Sequence, residues 1–294
     1  MAIITDEHRE FFRHNGYVVV KNVIPKENCE RVIAAIWEFL GKDPNDRDAW
    51  YTPPKGMDDY DMKTQRGGWA PMFHHQSLWD NRQHPNVYRA FAELLNEDKL
   101  MVSIDQVAAK LPYRKGYEIL NNSFIHWDMN TLDLPTPLVR PMGVQGLIML
   151  ADTHEDTGGF RCVPSLYRDM ENWLARQPAD RHPKNPEDLE GYEIVKVLGE
   201  AGDLVIWDKL LAHGNGENHS NEVRFAQFVT MRPAPRPESM TDEQKARQQS
   251  RIQAWQTNSG LGTDPRQWET KNYDKPAELT PLGRKLLGVD SWYD

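Results

Sequence analysis

The sequence predicts a mainly β chain with flanking helices, arranged as an antiparallel sandwich or jelly roll. Three observations carry this. From residue 100 onward, apolar residues recur with a period of two in many short runs. Clusters of Gly, Pro and Asn/Asp separate the runs. No regular helical pattern alternates with them, which argues against a parallel βαβ sheet.

The elements follow in order. Thr5 to His14 is helical, and Gly16 suits its C-terminal cap. Tyr17 to Lys21 (YVVVK) is a short β-branched strand. After Pro25, the apolar Cys29, Val32, Ile33, Ile36, Trp37 and Leu40 share one helical face, and Gly41 ends it. Residues 42–70 are polar and Pro/Gly-punctuated, a loop long enough to be functional or mobile. A second helix follows Pro85, with Val87, Tyr88, Phe91, Leu94 and Leu95 on one side. The expected strands are Leu100–Ala108, Tyr117–Trp127, Val144–Leu150, Phe160–Val163, Glu193–Leu198, Asp203–Trp207 and Arg224–Met231. Helical pattern returns at Thr241–Gln256, and the apolar Leu279–Trp292 segment is expected to dock on the core. The expected organisation is one domain over 1–294. Helices and a lid loop fill 1–99, the jelly-roll core 100–232, and a helical and loop extension 233–294.

Composition narrows the function. The 35 Lys and Arg against 44 Asp and Glu give a net charge of −9, which argues against a nucleic-acid or anionic-membrane surface. No apolar run approaches the ~18 residues needed to span a bilayer. The start, MAIITDEHREFF, lacks the basic and apolar regions of a signal peptide, so a cytoplasmic location is expected. Cys29 and Cys162 are the only cysteines, too few for a disulfide framework or a cysteine zinc site. Glycine-rich nucleotide motifs and GxSxG are absent. A small-molecule substrate is the expected partner.

The sharpest local feature is His126-Trp127-Asp128 at the end of an expected strand. Residues i and i+2 of a strand share a face, so His126 and Asp128 project together and Trp127 points away. Asn122 and Phe124 precede them on that face. Taken alone, the same letters fit a strand end with one exposed acid and one hydrogen-bonded histidine. A second segment, Gly202 to Asp208 (GDLVIWD), leads to His213 and then to Arg224, which opens the strand RFAQFVTM. Two histidines and one carboxylate, with coordination positions left open, are the ligand set of non-haem Fe(II) oxygenases. Arg224 offers a planar fork for a carboxylate, although alone it would read as a surface strand arginine. His74-His75, with Trp50, Trp69, Phe73 and Trp79, is expected in the lid over the barrel mouth and favours an apolar or ring-containing substrate. His154 and His219 read as turn and loop residues.

The ordered combination of HxD, Gly158-Gly159 with Val163-Pro164-Ser165, GDLVIWD, and a distal His with Arg at +11 resembles the phytanoyl-CoA dioxygenase family. FFRHNGYVVVKNVIPKENCERV resembles that family's opening strand and helix, and the likeness covers roughly residues 10–232. It implies a double-stranded β-helix, the cupin-like jelly roll, and dependence on Fe(II), 2-oxoglutarate and O₂. It places the metal ligands on His126, Asp128 and His213, the 2-oxoglutarate arginine on Arg224, and a polar cosubstrate contact on Asn215. The implied reaction is hydroxylation of a C–H bond, with succinate and CO₂ as co-products. Desaturation or ring formation on the same scaffold is the alternative, with a non-catalytic binding protein further off. Two departures stand out. Ser165-Leu166-Tyr167 alters the family's Gly-Ser-His turn, and Leu147 occupies a position where the family has an aromatic. Neither is a metal ligand.

Overall fold

The structure is a computed structural model, described here for residues 2–57, 68–260, 264 and 266–294. The first helix, α1 (Asp6–Asn15), is closed at both ends by its own sequence. The Thr5 hydroxyl accepts from the His8 N–H while the His8 ring accepts from the Thr5 N–H, and Gly16 ends the helix at φ 76°. Strand β1 (Tyr17–Val20), helix α2 (Lys26–Leu40), strand β2 (Trp69–Ala70) and helices α3 (Gln76–Arg82) and α4 (Pro85–Leu95) follow. Next come β3 (Leu100–Val102), β4 (Val107–Lys110), β5 (Val144–Met149), β6 (Phe160–Cys162), α5 (Pro164–Arg176), β7 (Val195–Lys196), β8 (Leu204–Asp208), β9 (His213–Asn215), β10 (Arg224–Phe228) and β11 (Met231–Pro233). Helices α6 (Asp242–Gln256), α7 (Trp268–Asn272) and α8 (Pro281–Leu287) complete the order.

The pairings are antiparallel. A six-stranded sheet has the order β1-β8-β5-β10-β4-β2, and a three-stranded sheet the order β7-β6-β9. The single residue His126 extends the smaller sheet by pairing with His213. A short ribbon joins β11 to β3. This is the expected jelly roll.

Strand alternation sorts the apolar side chains into two cores. On one face of the large sheet, Val18, Val20, Ile148, Leu204, Ile206 and Phe225 meet Val32, Ile36 and Phe39 of α2, Leu78 and Trp79 of α3, and Val87 and Phe91 of α4. On the other face, Leu147, Met149, Val205, Trp207 and Ala226 meet Phe160 and Cys162 of the small sheet and Leu166, Tyr167, Met170 and Trp173 of α5. Gly146 sits under the Phe91 ring of α4. A Cβ there would lie 2.8 Å from the Phe91 ring tip and 2.8 Å from the Val229 carbonyl. The C-terminal extension is knitted in. Leu286 and Leu287 are buried, and the buried Glu269 carboxylate accepts from the Phe73 and His74 backbone N–H groups at 2.8 and 2.7 Å.

The sequence expectations fail at six places. Tyr117–Trp127 is not a strand. Glu118–Asn121 form one 3₁₀ turn, and only His126 pairs. The expected Leu100–Ala108 strand is two strands in different sheets, β3 and β4, and Arg224–Met231 likewise divides into β10 and β11. A helix, α5, does lie among the strands, started by Pro164 at its first turn. Helix α3 occupies part of the stretch expected to cover the mouth. Finally, Trp50, Phe73, His74 and Trp79 do not form a lid: Trp50, Phe73 and Trp79 belong to the helix-side core and His74 is buried. Residues 58–67 of the expected loop, and the Trp69 side chain, lie outside the described residues. Among the described residues, no helix is long and apolar enough to cross a membrane.

Replacing Phe91 by Ala removes a wholly buried ring that packs on the centre of the large sheet. The expected cost is about 3–5 kcal/mol of unfolding free energy, read from urea denaturation. A loss under about 1 kcal/mol would show that α4 does not hold this face.

Candidate metal and cosubstrate site

His126 and His213 face each other across an antiparallel bridge. Each donates its backbone N–H to the other's carbonyl, at 2.8 and 2.9 Å. Directly opposed residues point to the same side, so both imidazoles enter the space between the sheets. Asp128, two residues on, joins them. Its Oδ1 lies 3.3 Å from His126 Nε2 and its Oδ2 3.5 Å from His213 Nε2. Metal-ligating atoms of all three lie within 4.8 Å of one another. Trp127 turns away, as alternation requires. It is buried, and its indole N–H donates to the Leu210 carbonyl at 2.8 Å.

Neighbours fix the orientation of these groups. His213 Nδ1 lies 2.9 Å from the Leu211 carbonyl, which can only accept, so Nδ1 carries a proton and Nε2 faces Asp128. The adjacent His126 and His213 rings hold the Asp128 carboxyl well below the usual carboxylate range. Gln145, on the inner face of β5, donates its amide Nε2–H to Asp128 Oδ2 at 2.7 Å. A charged carboxylate accepts only, which sets the orientation of that amide. The Phe160 and Trp207 rings lie 5.6 and 5.1 Å from the His213 ring, and Phe124 lies 4.8 Å from His126. Phe160 and Trp207 back the buried His213, while Asp128 is 44% exposed on the open side of the group.

Arg224 is not a surface residue. It is 2% exposed on the inner face of β10. Its Nη1 donates to Asn215 Oδ1 at 3.2 Å, while its Nε and Nη2 are buried with no partner. Burial pulls its pKa down to about 10, so it stays charged near neutral pH. A buried guanidinium with two free donors and no carboxylate is costly until an anion meets it. The donor set therefore fits a divalent ion at His126, Asp128 and His213, and the terminal carboxylate of an oxo-acid at Arg224. Asn215 faces Arg224 rather than open space.

Other histidines and carboxylates have partners of their own. His75 caps α3 by accepting from the Ser77 N–H, and His219 pairs with Glu217. Asp208 accepts from the Tyr167 hydroxyl, and Asp203 pairs with Lys21. Two residues of this region were missed by sequence reasoning, Gln145 and Lys110. Each is a polar residue at an inner-facing position of an otherwise apolar strand, a signal readable only once strand boundaries and register are fixed.

A carboxylate and two histidines inside an antiparallel jelly roll define the class of non-haem iron oxygenases. The phytanoyl-CoA dioxygenase family model matches residues 12–226, and the chain belongs to that family. It is an enzyme, a 2-oxoglutarate-dependent oxygenase that uses iron, 2-oxoglutarate and O₂. It is similar to a phytanoyl-CoA dioxygenase-like protein of Dictyostelium discoideum, 26% identical over 76% of this chain and 74% of that one. It is equally 26% identical to Ava biosynthesis cluster protein O of Aspergillus versicolor, over 76% of this chain and 77% of that one. Among solved structures, its fold is shared by protein JW0805 of Escherichia coli (TM-score 0.67, 18% identity, 97% of this chain and 82% of that one). It is also shared by the α-ketoglutarate-dependent carbocyclase SnoK of nogalamycin biosynthesis (TM-score 0.53, 20% identity, 78% and 84%).

Replacing Gln145 by Met removes the hydrogen bond that steadies Asp128 while keeping its length. Divalent-metal affinity is expected to fall about 10–100-fold, measured by anaerobic Fe(II) titration. Unchanged affinity would show that Asp128 needs no such support.

Proposed function

We propose that this oxygenase hydroxylates a C–H bond of an apolar or ring-containing small molecule. In this reading His126, Asp128 and His213 hold the iron, and Arg224, backed by Asn215, receives the distal carboxylate of 2-oxoglutarate. The observation that carries it is the buried Arg224 guanidinium, whose Nε and Nη2 have no partner in the same inner space that the three ligand side chains enter. When bound, iron, O₂ and 2-oxoglutarate supply a two-electron oxidation, the cosubstrate leaving as succinate and CO₂.

The chain's own residues do the rest. Asp128 brings a negative charge that offsets the metal's. His213, locked by the Leu211 carbonyl, presents one nitrogen in one orientation. The buried Phe160 and Trp207 rings wall one side of the His213 imidazole. The apolar substrate class rests on the segment after Asp128, not on the buried aromatics of residues 50–79. Leu132 and Val139 stand 47% and 60% exposed there, Met129, Leu134, Leu138 and Met142 are half-buried against the inner core, and Phe124 is 41% exposed beside His126. Exposed apolar side chains on the segment that follows Asp128, with Phe124 beside His126, suit a greasy substrate surface.

With Fe(II) and 2-oxoglutarate under anaerobic conditions, the protein is expected to show a weak visible charge-transfer band. His126→Ala and His213→Ala should each abolish it; retention of the band in both would remove the assignment. Arg224→Ala should raise the apparent 2-oxoglutarate constant about 30- to 1000-fold, with Arg224→Lys in between. Wild-type 2-oxoglutarate dependence in Arg224→Ala would sink that role. For the substrate, succinate release is measured across a small-molecule library with mass spectrometry of the co-product. Apolar and ring compounds are expected to stimulate turnover, and stimulation confined to hydrophilic ones would overturn the class.

A further inference from the structure

We propose that the cavity on the outer face of the small sheet is a second binding site, suited to a small zwitterion whose carboxylate meets Arg161 and whose ammonium meets an acidic rim. The inference stands apart from the reading of Arg224.

Alternation along β6 sends Phe160 and Cys162 into the inner core, so Arg161 between them projects from the opposite face. Lys196 of β7 and Gly214 of β9 are its direct cross-strand partners, which sets the Lys196 side chain beside it. His213, next to Gly214, points the other way and joins the metal-ligating group. The small sheet thus separates Arg161 from that group, and a molecule held at Arg161 lies behind the sheet, out of the metal's reach.

The cavity has a volume of about 580 Å³, within the range of small-molecule sites. The turn at residues 153–159 forms one rim and the loop at 216–219 the other. Backbone ties them together: Thr157 pairs with Asn218, and the Gly216 N–H donates to the Gly159 carbonyl at 2.8 Å. The site is mounted on paired backbone rather than on free loops.

Arg161 faces this space uncommitted. It makes no hydrogen bond and no ion pair among the described residues, and its Nε is buried. Burial pulls its pKa below the ordinary guanidinium value, with Glu217 opposing. A half-buried guanidinium of this kind gains from a planar carboxylate that fills its fork. Most charged neighbours are already matched. Lys196 pairs with Glu155 at 3.2 Å, and Glu217 with His219 at 2.9 Å. Asp156 is the rim carboxylate left over, exposed and with no side-chain partner among the described residues. A spare cation on the floor and a spare anion at the rim complement a molecule that carries both charges. A dianion such as succinate would bring a second negative charge against Glu155, Asp156 and Glu217, and a bare amine would face Arg161.

The experiment is calorimetric titration of the full chain with glycine and with 4-aminobutyrate, which space the two charges differently. Butyrate, butylamine and succinate serve as controls. At least one zwitterion should bind, and each control should bind about tenfold more weakly or worse. Arg161→Gln should weaken the zwitterion about tenfold or more, and Arg161→Lys, which keeps the charge without the planar fork, should fall between. Asp156→Asn should weaken it severalfold. Repeating the titration anaerobically with saturating Fe(II) and 2-oxoglutarate should leave zwitterion binding in place. Binding of neither zwitterion would overturn the inference, as would butyrate binding equally well or an unchanged constant in Arg161→Gln. Competition with 2-oxoglutarate would place the zwitterion at Arg224 instead and overturn it too.

Discussion

The reciprocal backbone hydrogen bonds between His126 and His213 are the constraint on which the site depends. They join a residue that belongs to no regular strand to the edge of the small sheet. A pair of this kind fixes register, and a slip by one residue would turn His126 out and Trp127 in. The buried Trp127 indole, held by the Leu210 carbonyl, adds a second lock against that slip. Two side chains from distant parts of the sequence thus meet through one backbone bridge.

The large sheet does two unlike jobs with its two faces. Toward α2, α3 and α4 it is almost entirely apolar, and Gly146 lets the Phe91 ring approach the backbone. Toward the small sheet the apolar positions give way to Gln145, Lys110 and Arg224. The helix-side core stabilises the sheet strongly enough to carry these polar residues on its inner face. Their rigidity comes from being mounted on paired strands.

Much of the site was legible because period two is a strong signal. The i, i+2 relation placed His126 and Asp128 together and Trp127 apart, and alternation from Arg224 through Ala226 aimed the guanidinium inward. The errors have equally specific causes. Tyr117–Trp127 has a strand-like composition, yet its local preference yields to a 3₁₀ turn because only His126 has a partner strand to pair with. Helix α5 has its own signals, Pro164 at its start and Leu166, Tyr167, Met170 and Trp173 on one face, but they overlap the segment that resembles the family's turn. The aromatics of residues 50–79 suggest a mouth because their surroundings are polar in sequence. In space Trp50, Phe73 and Trp79 pack in the helix-side core, a long-range outcome that local pattern does not encode.

The unpaired Arg224 also bears on how long the folded chain persists. A buried charge without a partner raises the free energy of the native state, and whatever neutralises it binds that state alone. In the proposed reading, 2-oxoglutarate is then a folding ligand as well as a reactant, stabilising the native chain by mass action. A cell poor in the cosubstrate would hold an enzyme that is not only slow but also more often open to proteases. Abundance and turnover would respond to the same metabolite, through the same guanidinium.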